Sequence, residues 1–532
     1  MDNPDNQGIR HIVIVGGGSA GWITAGLLAS SYPAQADGGI RVTLVESPEV
    51  STIGVGEGTW PTMRATLRRI GLSETEFLQA CSASPKQGTR FRGWVTGSDD
   101  DVYYHPFSVP AGYPGAALVP FWQEHRERVS FANAVTAQGR VCDAGLAPKE
   151  MSTPEYAHVV NYGYHLDAGK FADLLKAHCI DKLKVRHLLD HVTGILGAPD
   201  EDIRALATAG SGEIEGDLFI DCTGQAALLL GRHYGVDTID QDHILFNDRA
   251  LAVQVPYAHT LSPVESQTNS TAQDAGWVWD IGLSSRRGIG YVYSSRHSSD
   301  EQALEVLRRY LGKYTAVDAQ AMEPRRIGFR PGYRERFWHR NCVAVGMSAG
   351  FIEPLEASAL VMIELAAGMI TDELPATRSA MDIHARRFNE KFRYRWERII
   401  DFLKLHYVLS RRDDSDYWID NRHGDSIPER LQGLIELWRH QVPGPRDFPQ
   451  IDEIFSAASY QYVLYGMGFE TRPRMRAQAE AERVQAHALF KDVERLSRRL
   501  LARLPDNRSL LAGMAGPPGA GASLRAAVPT GS

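Results

Sequence analysis

The chain has 532 residues, 43% of them hydrophobic and 23% charged, which suits a globular protein and excludes a disordered or fibrous one. Its net charge of -8 at pH 7 argues against a nucleic-acid partner. The five cysteines show no C-x-x-C spacing, so neither a disulfide framework nor a metal site is expected. A polar N-terminus without a signal pattern and the lack of a long apolar run predict a cytoplasmic protein that has no membrane partner.

The first recognisable unit is a strand, a glycine turn and a helix in HIVIVGGGSAGWITAGLLAS (11–30), followed by a second strand in RVTLVES (41–47). The spacing G-x-G-x-x-G directly after a strand is typical of a dinucleotide site, in which backbone N–H groups at a helix start bind a pyrophosphate. An acid at the end of the second strand suits a ribose hydroxyl. A glycine turn without a ligand is the alternative. The predicted cofactor contacts here are Gly16, Gly18, Ser19, Ala20, Gly21, Trp22 and Glu46.

Two later glycine-rich passages extend this prediction. The loop STIGVGEGTWP (51–61) can bring its backbone close to a flat ligand through Gly54, Val55, Gly56 and Glu57. After a β-rich stretch (184–224) that ends in DLFIDCTG, the strand CVAVG runs into a turn at Gly346 and a long helix. Strand-to-glycine passages separated by other material predict a nucleotide domain into which a second domain is interleaved.

The C-terminal third is helix-prone from 371 to 505. In the segment 386–412 apolar residues recur at helical spacing, and its basic residues are expected on a solvated face. From 506 to 532 glycine, proline and alanine dominate, which predicts a disordered tail.

The stretch GWVWDIG (276–282) predicts a strand with Trp277 and Trp279 on one face and Val278 on the other. Core packing alone would explain such a pair. Its neighbours in the sequence suggest more, since the chain resembles the flavin-dependent tryptophan halogenases from Val13 to about Gly468. The motifs that carry the resemblance, in the family's order, are GGGSAGW (16–22), IGVGEGTWP (53–61), PKQGTRFRGW (85–94), YYHPF (103–107), YHLDAGKFADLL (164–175), DLFIDCTG (217–224), GWVWDIGL (276–283), GIGYVYSS (288–295) and GFIEPLEAS (350–358).

The resemblance implies an α/β fold: an FAD-binding, doubly wound βαβ domain of the flavin monooxygenase type, interleaved with a mostly helical substrate domain. The FAD-binding domain would span 8–370, with substrate-domain segments at about 80–160 and 245–330, and 371–505 would complete the substrate domain. FAD would act as FADH2, supplied by a separate flavin reductase, with O2 and chloride or bromide as co-substrates. Hypohalous acid would then cross to a second chamber and halogenate a small electron-rich aromatic, while Trp277 and Trp279 keep that substrate away from the flavin.

By the same resemblance, Lys86 receives the oxidant, either by hydrogen bonding to hypohalous acid or by forming a haloamine. A buried lysine with a lowered pKa suits both roles, although an isolated lysine is ordinarily a surface residue. Glu356 would orient Lys86 and accept the proton lost by the arene, with a helix-capping role as the alternative. The backbone N–H groups of Ser358 and Ala359 would bind halide at a helix start.

Aromatic residues are expected to line the substrate chamber. His105 and Phe107 resemble the family's walls around the substrate ring, and a packed turn is the alternative for this H-P-F run. Phe455 falls at the family's ring-stacking position.

The sequence departs from the family pattern at three places. Gly282 replaces the proline that follows the tryptophan pair, and P-L-E-S-T-G is here PLEASA (354–359), so halide preference could differ. In the C-terminal region Pro443 and Gly444 fall where a tyrosine pair would clamp the amino-acid head of free tryptophan, and Gln450 falls near the clamping acid. A site without those polar partners has no reason to bind a zwitterion tightly. Indole or an indole derivative is therefore expected as substrate in place of free tryptophan.

Two other functions fit parts of the pattern. A flavin-dependent aromatic hydroxylase shares the fold class, but such enzymes usually carry a G-D-A-x-H-like run where this chain has GMSAG (346–350), and they have no need for Lys86. A non-catalytic, redox-responsive flavin protein would not need both Lys86 and Glu356.

Overall fold

The computed structural model describes residues 8–49, 56–474 and 478–514. In these residues the strands are β1 (His11–Val15), β2 (Arg41–Glu46), β3 (Glu57–Gly58), β4 (Ser84–Lys86), β5 (Gly88–Arg92), β6 (Val102–Pro106), β7 (Gly163–Leu166), β8 (Arg186–Leu189), β9 (Val192–Leu196), β10 (Ala205–Thr208), β11 (Glu213–Glu215), β12 (Leu218–Asp221), β13 (Thr238–Asp240), β14 (Arg249–Pro256), β15 (Thr268–Gln273), β16 (Gly276–Gly282), β17 (Arg286–Tyr293), β18 (Arg325–Gly328), β19 (Gly332–Arg334), β20 (Trp338–His339), β21 (Cys342–Ala344) and β22 (Gly350–Phe351). The α-helices are α1 (Ser19–Ser31), α2 (Met63–Ile70), α3 (Glu74–Ala80), α4 (Val119–Gln123), α5 (Phe131–Val135), α6 (Gln138–Asp143), α7 (Ala168–Asp181), α8 (Asp300–Tyr314), α9 (Ser358–Asp372), α10 (Arg378–Val408), α11 (Asp416–Asp420), α12 (Glu429–Trp438), α13 (Ala457–Gly466), α14 (Ala479–Arg503) and α15 (Asn507–Met514).

A six-stranded sheet in the order β20-β21-β12-β1-β2-β8 forms the centre of the nucleotide domain. Its strands from β21 to β8 run parallel, and β20 is an antiparallel edge. The apolar run of β1 is buried along its whole length, as expected for an inner parallel strand covered on both faces. The three strand-to-glycine passages recognised in the sequence begin with strands β1, β12 and β21, which are adjacent in this sheet. The α/β fold predicted from the sequence is confirmed.

A second, seven-stranded sheet carries the tryptophan pair. Its order is β18-β14-β17-β16-β15-β5-β6, and only the β15–β5 contact among these strands is parallel. One face packs on α8, where Val278 and Leu307 share a small apolar core. Trp277 projects from the opposite face into the main core. The predicted strand with its two faces is confirmed.

The long helix α10 differs from the prediction in one respect. Its basic residues are not all solvated, because Arg395, Arg398 and Lys404 are buried. Lys404 donates to the Asn421 side chain at 2.8 Å and to the carbonyl of Ile244 at 3.0 Å, which compensates for the lost water. Helical spacing predicted the helix, but it could not reveal that neighbouring segments cover the polar face.

The prediction of a disordered tail from residue 506 is wrong for the first part of that segment. Asn507–Met514 form a helix in which Asn507 and Leu510 are buried, so this part of 506–532 is ordered by packing; residues 515–532 lie outside the described residues. Among the described residues, no helix is long and apolar enough to cross a membrane. The same residues contain no group of three or more His, Cys, Asp or Glu side chains that could hold a metal ion.

Candidate active site

The glycine turn between β1 and α1 has the geometry of a phosphate cradle. Gly16 has φ +115°, and a Cβ there would lie 2.2 Å from the carbonyl oxygen of Cys222, so a side chain cannot fit. At Gly18, the N-cap of α1, an added Cβ would meet nothing within 4 Å. Within the described residues no side chain caps this helix start, so its N–H groups point into open space that suits a pyrophosphate.

The other residues predicted around this turn differ in their surroundings. Glu46 lies beside the turn at the end of β2, and its Oε2 accepts from Lys176 at 2.9 Å and from His187 at 2.8 Å. The Trp22 side chain is fully buried and packs against His187 with ring centroids 5.4 Å apart, so this indole belongs to the core. Ser19 and Ala20 open α1 on its half-buried side.

Of the remaining predicted cofactor contacts, some lie within the described residues and some outside them. Gly54 and Val55 lie outside the described residues. Gly346 lies against the start of α1, because a Cβ there would be 2.8 Å from the Ala20 Cβ. Glu57 follows Gly56 at the start of β3, and burial raises the pKa of its carboxyl group to about 7.

Lys86 ends β4 and is buried rather than on the surface, with 1% of its side chain exposed. Its Nζ lies 5.4 Å from the Phe107 ring centre, and a Cβ at Gly58 would be 3.0 Å from this nitrogen. Burial lowers the pKa of Lys86 to about 8, while the nearby charge of Glu356 opposes part of that shift. The amine can therefore be present in both forms near neutral pH.

Glu356 lies in a strained loop immediately before α9. Glu356 has φ 63° and ψ 10°, and Ala357 has φ 55° and ψ 44°, so two consecutive non-glycine residues are left-handed. Each such residue costs about 1 kcal/mol or more. The indole nitrogen of Trp60 donates to the carbonyl oxygen of Glu356 at 2.8 Å, which helps to hold the loop. The backbone strain at Glu356 and Ala357 thus occurs in the loop that directs the Glu356 carboxylate into the protein interior.

The carboxylate of Glu356 lies among several buried polar groups. Oε1 lies 2.8 Å from His105 Nδ1 and 3.4 Å from His406 Nε2, and Oε2 accepts from the Thr89 hydroxyl at 3.3 Å. Burial alone would raise the pKa of Glu356, but the neighbouring histidines outweigh it, chiefly through the charge and hydrogen bond of His105, and hold the pKa well below its usual range. Glu356 is therefore ionised near neutral pH.

Aromatic rings surround this carboxylate. His105 has ring centroids 5.5 Å from Phe402 and 6.4 Å from Phe455. Phe455 stacks on Phe402 at 3.7 Å, and Trp60 meets its edge at 4.8 Å. The structure thus places Phe107 beside Lys86 and His105 beside both Glu356 and Phe455, while the roles assigned to these residues stay predictions.

Sequence reasoning missed Trp60, Phe402, Thr89 and His406. Trp60 belongs to the glycine-rich loop 51–61, so the sequence already indicated that it lies near the cofactor region. Phe402 and His406 lie on α10, far away in the chain, and only their i, i+4 spacing on one helix face linked them.

The predicted halide site is at the start of α9. The N-cap, Ala357, provides no side-chain hydrogen bond, and no acid lies in the first turn. Ser358 and Ala359 line a cavity of about 50 Å³ together with Gly346 and Glu353. Uncapped N–H groups beside a small cavity can bind an anion.

The tryptophan pair stands beside a buried acid that the sequence did not single out. Trp277 is 1% exposed, its ring centroid is 6.5 Å from that of Trp279, and its Nε1 donates to Glu353 Oε2 at 2.7 Å. The same oxygen accepts from Tyr407 at 2.7 Å and from Asn247 at 2.7 Å. Burial raises the pKa of the Glu353 carboxyl group, so its charged form is disfavoured. The hydrogen bond to this carboxyl group holds the Trp277 ring in place.

Two kinds of comparison identify the class of protein that this fold and site define. The family model described as tryptophan halogenase matches residues 11–482. Tryptophan 6-halogenase SttH of Streptomyces toxytricini is 32% identical over 96% of this chain and 98% of its own length. The chain therefore belongs to the tryptophan halogenase family, and it is a flavin-dependent halogenase, an oxidoreductase. The resemblance seen in the sequence is confirmed.

Solved structures agree in fold over nearly the whole chain. A tryptophan halogenase from Shewanella frigidimarina NCIMB 400 is 49% identical, with a TM-score of 0.93, and the match covers 96% of this chain and 99% of the other. BrvH, a flavin-dependent halogenase from Brevundimonas sp. BAL3, is 32% identical with a TM-score of 0.83, covering 95% and 99%.

Proposed function

We propose that this halogenase uses FADH2, O2 and chloride or bromide to make hypohalous acid, and that it halogenates indole or an indole derivative in preference to free tryptophan. The observation that supports the chemistry best is a buried amine, Lys86, that lies within electrostatic reach of a buried, ionised carboxylate, Glu356. The surface-lysine alternative does not account for that burial.

The residues present fit a flavin dinucleotide. The glycine turn before α1 offers uncapped N–H groups and open space at Gly18, and Glu46 lies beside it for a ribose hydroxyl. Bound reduced flavin would supply the two electrons that activate O2 toward a halide. The sequence holds one good G-x-G-x-x-G, which favours delivery of FADH2 by a separate flavin reductase over reduction in place.

Lys86 and Glu356 have different roles at the substrate: Lys86 delivers the halogen and Glu356 accepts the proton. Lys86 either donates a hydrogen bond to hypohalous acid as an ammonium or takes the halogen on its neutral nitrogen as a haloamine. A carbon–halogen bond then forms as the oxygen–halogen or nitrogen–halogen bond breaks. The ring loses a proton to Glu356, and the electron pair of the broken C–H bond restores aromaticity. An ionised Glu356 also stabilises the cationic ring before that proton leaves.

The region expected to hold an amino-acid head supports the preference for indole. The carbonyl of Pro443 accepts from Gln461 at 2.8 Å, and the Gly444 N–H donates to Asp447 at 2.9 Å, so both backbones are already used. Gln450 is exposed. The clamping groups that a tryptophan zwitterion needs are therefore not provided by these residues, whereas a neutral indole needs none of them.

The test is a direct comparison of substrates. Purified enzyme, a generic flavin reductase, NADH, FAD and chloride or bromide in turn are incubated with indole or tryptophan, and products are followed by mass spectrometry. We expect halogenated indole with a kcat/KM at least tenfold above that for tryptophan, which corresponds to about 1.4 kcal/mol. Equal or better turnover of tryptophan would contradict the substrate proposal, and hydroxylated product in place of halogenated product would contradict the chemistry.

A further inference from the structure

Two buried residues form a chain that ends on Glu356. Tyr103 on β6 and His406 on α10 are 2% and 0% exposed. The Tyr103 hydroxyl lies 2.7 Å from His406 Nδ1, and His406 Nε2 lies 3.4 Å from Glu356 Oε1. Their rings are nearly parallel, at 6.2 Å between centroids, so the contact joins the sheet to the helix beside the candidate base.

The protons in this chain can be placed from the chemistry of the three groups. At 3.4 Å the contact between His406 Nε2 and Glu356 Oε1 lies at ion-pair distance without full hydrogen-bond geometry. An ionised carboxylate only accepts, so this contact is favourable when His406 carries its proton on Nε2. Burial lowers the pKa of His406, which favours the neutral ring, and Nδ1 is then an acceptor. Burial likewise raises the pKa of Tyr103 well above its usual value, so its hydroxyl stays protonated and donates to Nδ1. Tyr103 therefore selects the tautomer of His406 that presents its Nε2–H to Glu356.

The two oxygens of Glu356 have different surroundings. Oε1 accepts from His105 Nδ1 of β6 at 2.8 Å and has His406 Nε2 of α10 at 3.4 Å, whereas Oε2 accepts from the Thr89 hydroxyl of β5 at 3.3 Å. Lys86 on β4 is a cationic group close enough to feel the charge of this carboxylate. With both histidines directed at Oε1, Oε2 is the oxygen with capacity left for a proton.

We propose that His406, with its tautomer set by Tyr103, is a positioning residue that pins Oε1 of Glu356 and leaves Oε2 to accept the proton lost by the arene. This inference rests on the proposed function. In the step concerned, the ring C–H bond breaks, its electron pair returns to the ring and the proton moves to Oε2. His406 touches neither arene nor flavin in this scheme, and it acts only through the orientation of the carboxylate.

A matched pair of substitutions separates the proposed role from simple packing. His406→Gln keeps an N–H donor near the position of Nε2, whereas His406→Asn places its amide near Nδ1, facing Tyr103. Tyr103→Phe removes the hydroxyl that sets the tautomer but keeps the ring. Tyr465→Phe is the control, because it also deletes one buried hydroxyl, which bonds Thr471 at 3.0 Å away from Glu356.

The readout is kcat and KM for indole, measured with ordinary indole and with indole deuterated at the carbon that is halogenated. For the wild type we expect no isotope effect, because a well-aligned base makes proton loss faster than the attack of the halogen. A misaligned base makes proton loss limiting, so His406→Asn should lower kcat by about tenfold or more with little change in KM, and an isotope effect should appear. Tyr103→Phe should show the same effect more weakly, and His406→Gln should recover most of the lost rate.

The outcomes are distinguishable. If His406→Asn keeps the wild-type rate, or if Asn and Gln lose rate equally without an isotope effect, the positioning role is wrong. If His406→Asn does not fold, Tyr103→Phe decides: a wild-type rate without an isotope effect overturns the proposal. A wild-type enzyme that forms no aryl halide contradicts the proposed function itself, before any variant is compared.

Discussion

Substitution of Gly58 by alanine tests the close packing around Lys86. Gly58 ends β3, and a Cβ there would lie 3.0 Å from Lys86 Nζ and 3.1 Å from the Ala357 Cβ. Ordinary contacts between such atoms need about 3.5 Å or more. The added methyl group must therefore displace the amine, the strained loop at 356–357, or both, by roughly half an ångström each.

The expected cost falls on catalysis more than on folding. Overpacking of this size costs about 1 to 3 kcal/mol, which a protein of this length can tolerate. A shift of about 1 Å at a reacting group can cost about a hundredfold in rate, so half of that predicts about tenfold. We expect Gly58→Ala to bind FAD and to consume O2, but to form aryl halide at about a tenth of the wild-type rate.

The assay is the initial rate of halogenated indole, with FAD binding and peroxide formation measured on the same sample. Gly312→Ala is the control, because a Cβ at this exposed position on α8 would meet nothing within 4 Å. If Gly58→Ala halogenates as fast as Gly312→Ala and the wild type, Lys86 is not held as tightly as the structure indicates, and the reasoning fails.

The remaining predictions concern pH, backbone strain and the tryptophan pair. The rate of halogenation should inflect near pH 8, where Lys86 titrates: it rises with pH if the neutral amine reacts and falls if the ammonium does. In Glu356→Gln the inflection should move to lower pH, because the substitution removes the carboxylate charge that raises the pKa of Lys86. A profile without an inflection between about pH 7 and 9 would contradict this role. Ala357→Gly should raise the thermal unfolding midpoint, since it relieves a left-handed alanine that costs about 1 kcal/mol, and a lower midpoint would show that the loop is not strained. Trp277→Phe removes the donor to Glu353 and should lower the yield of aryl halide per O2 consumed; an unchanged yield returns Trp277 to a purely packing role.

Local sequence patterns predicted the nucleotide domain well. The β1-α1-β2 unit follows from an apolar run, a glycine turn and a helix whose signals lie within a few dozen residues. The strand with Trp277 and Trp279 also follows from alternation alone, because strand side chains point to opposite faces.

The surroundings of the candidate site could not be predicted in this way. His406 and Glu356 are 50 positions apart in the numbering, and Tyr103 is more than 300 positions from His406, so their contact depends on how sheet and helix pack. The depressed pKa of Glu356 has the same origin, since it depends on donors from separate elements. Trp60 donates to the carbonyl of Glu356, which is 296 positions away in the chain. The glycine-rich loop that contains Trp60 was recognised in the sequence, but this contact was not.

The central claim is that one buried amine carries the electrophilic halogen to the arene. Lys86→Met keeps the length and apolar part of the side chain but removes the nitrogen, and Lys313→Met on the surface is the control. The decisive measurement is aryl halide formed per O2 consumed, with FAD binding checked for both variants. We expect Lys86→Met still to bind FAD and to consume O2 but to yield no halogenated indole. Halogenated indole at the wild-type rate from Lys86→Met would contradict it.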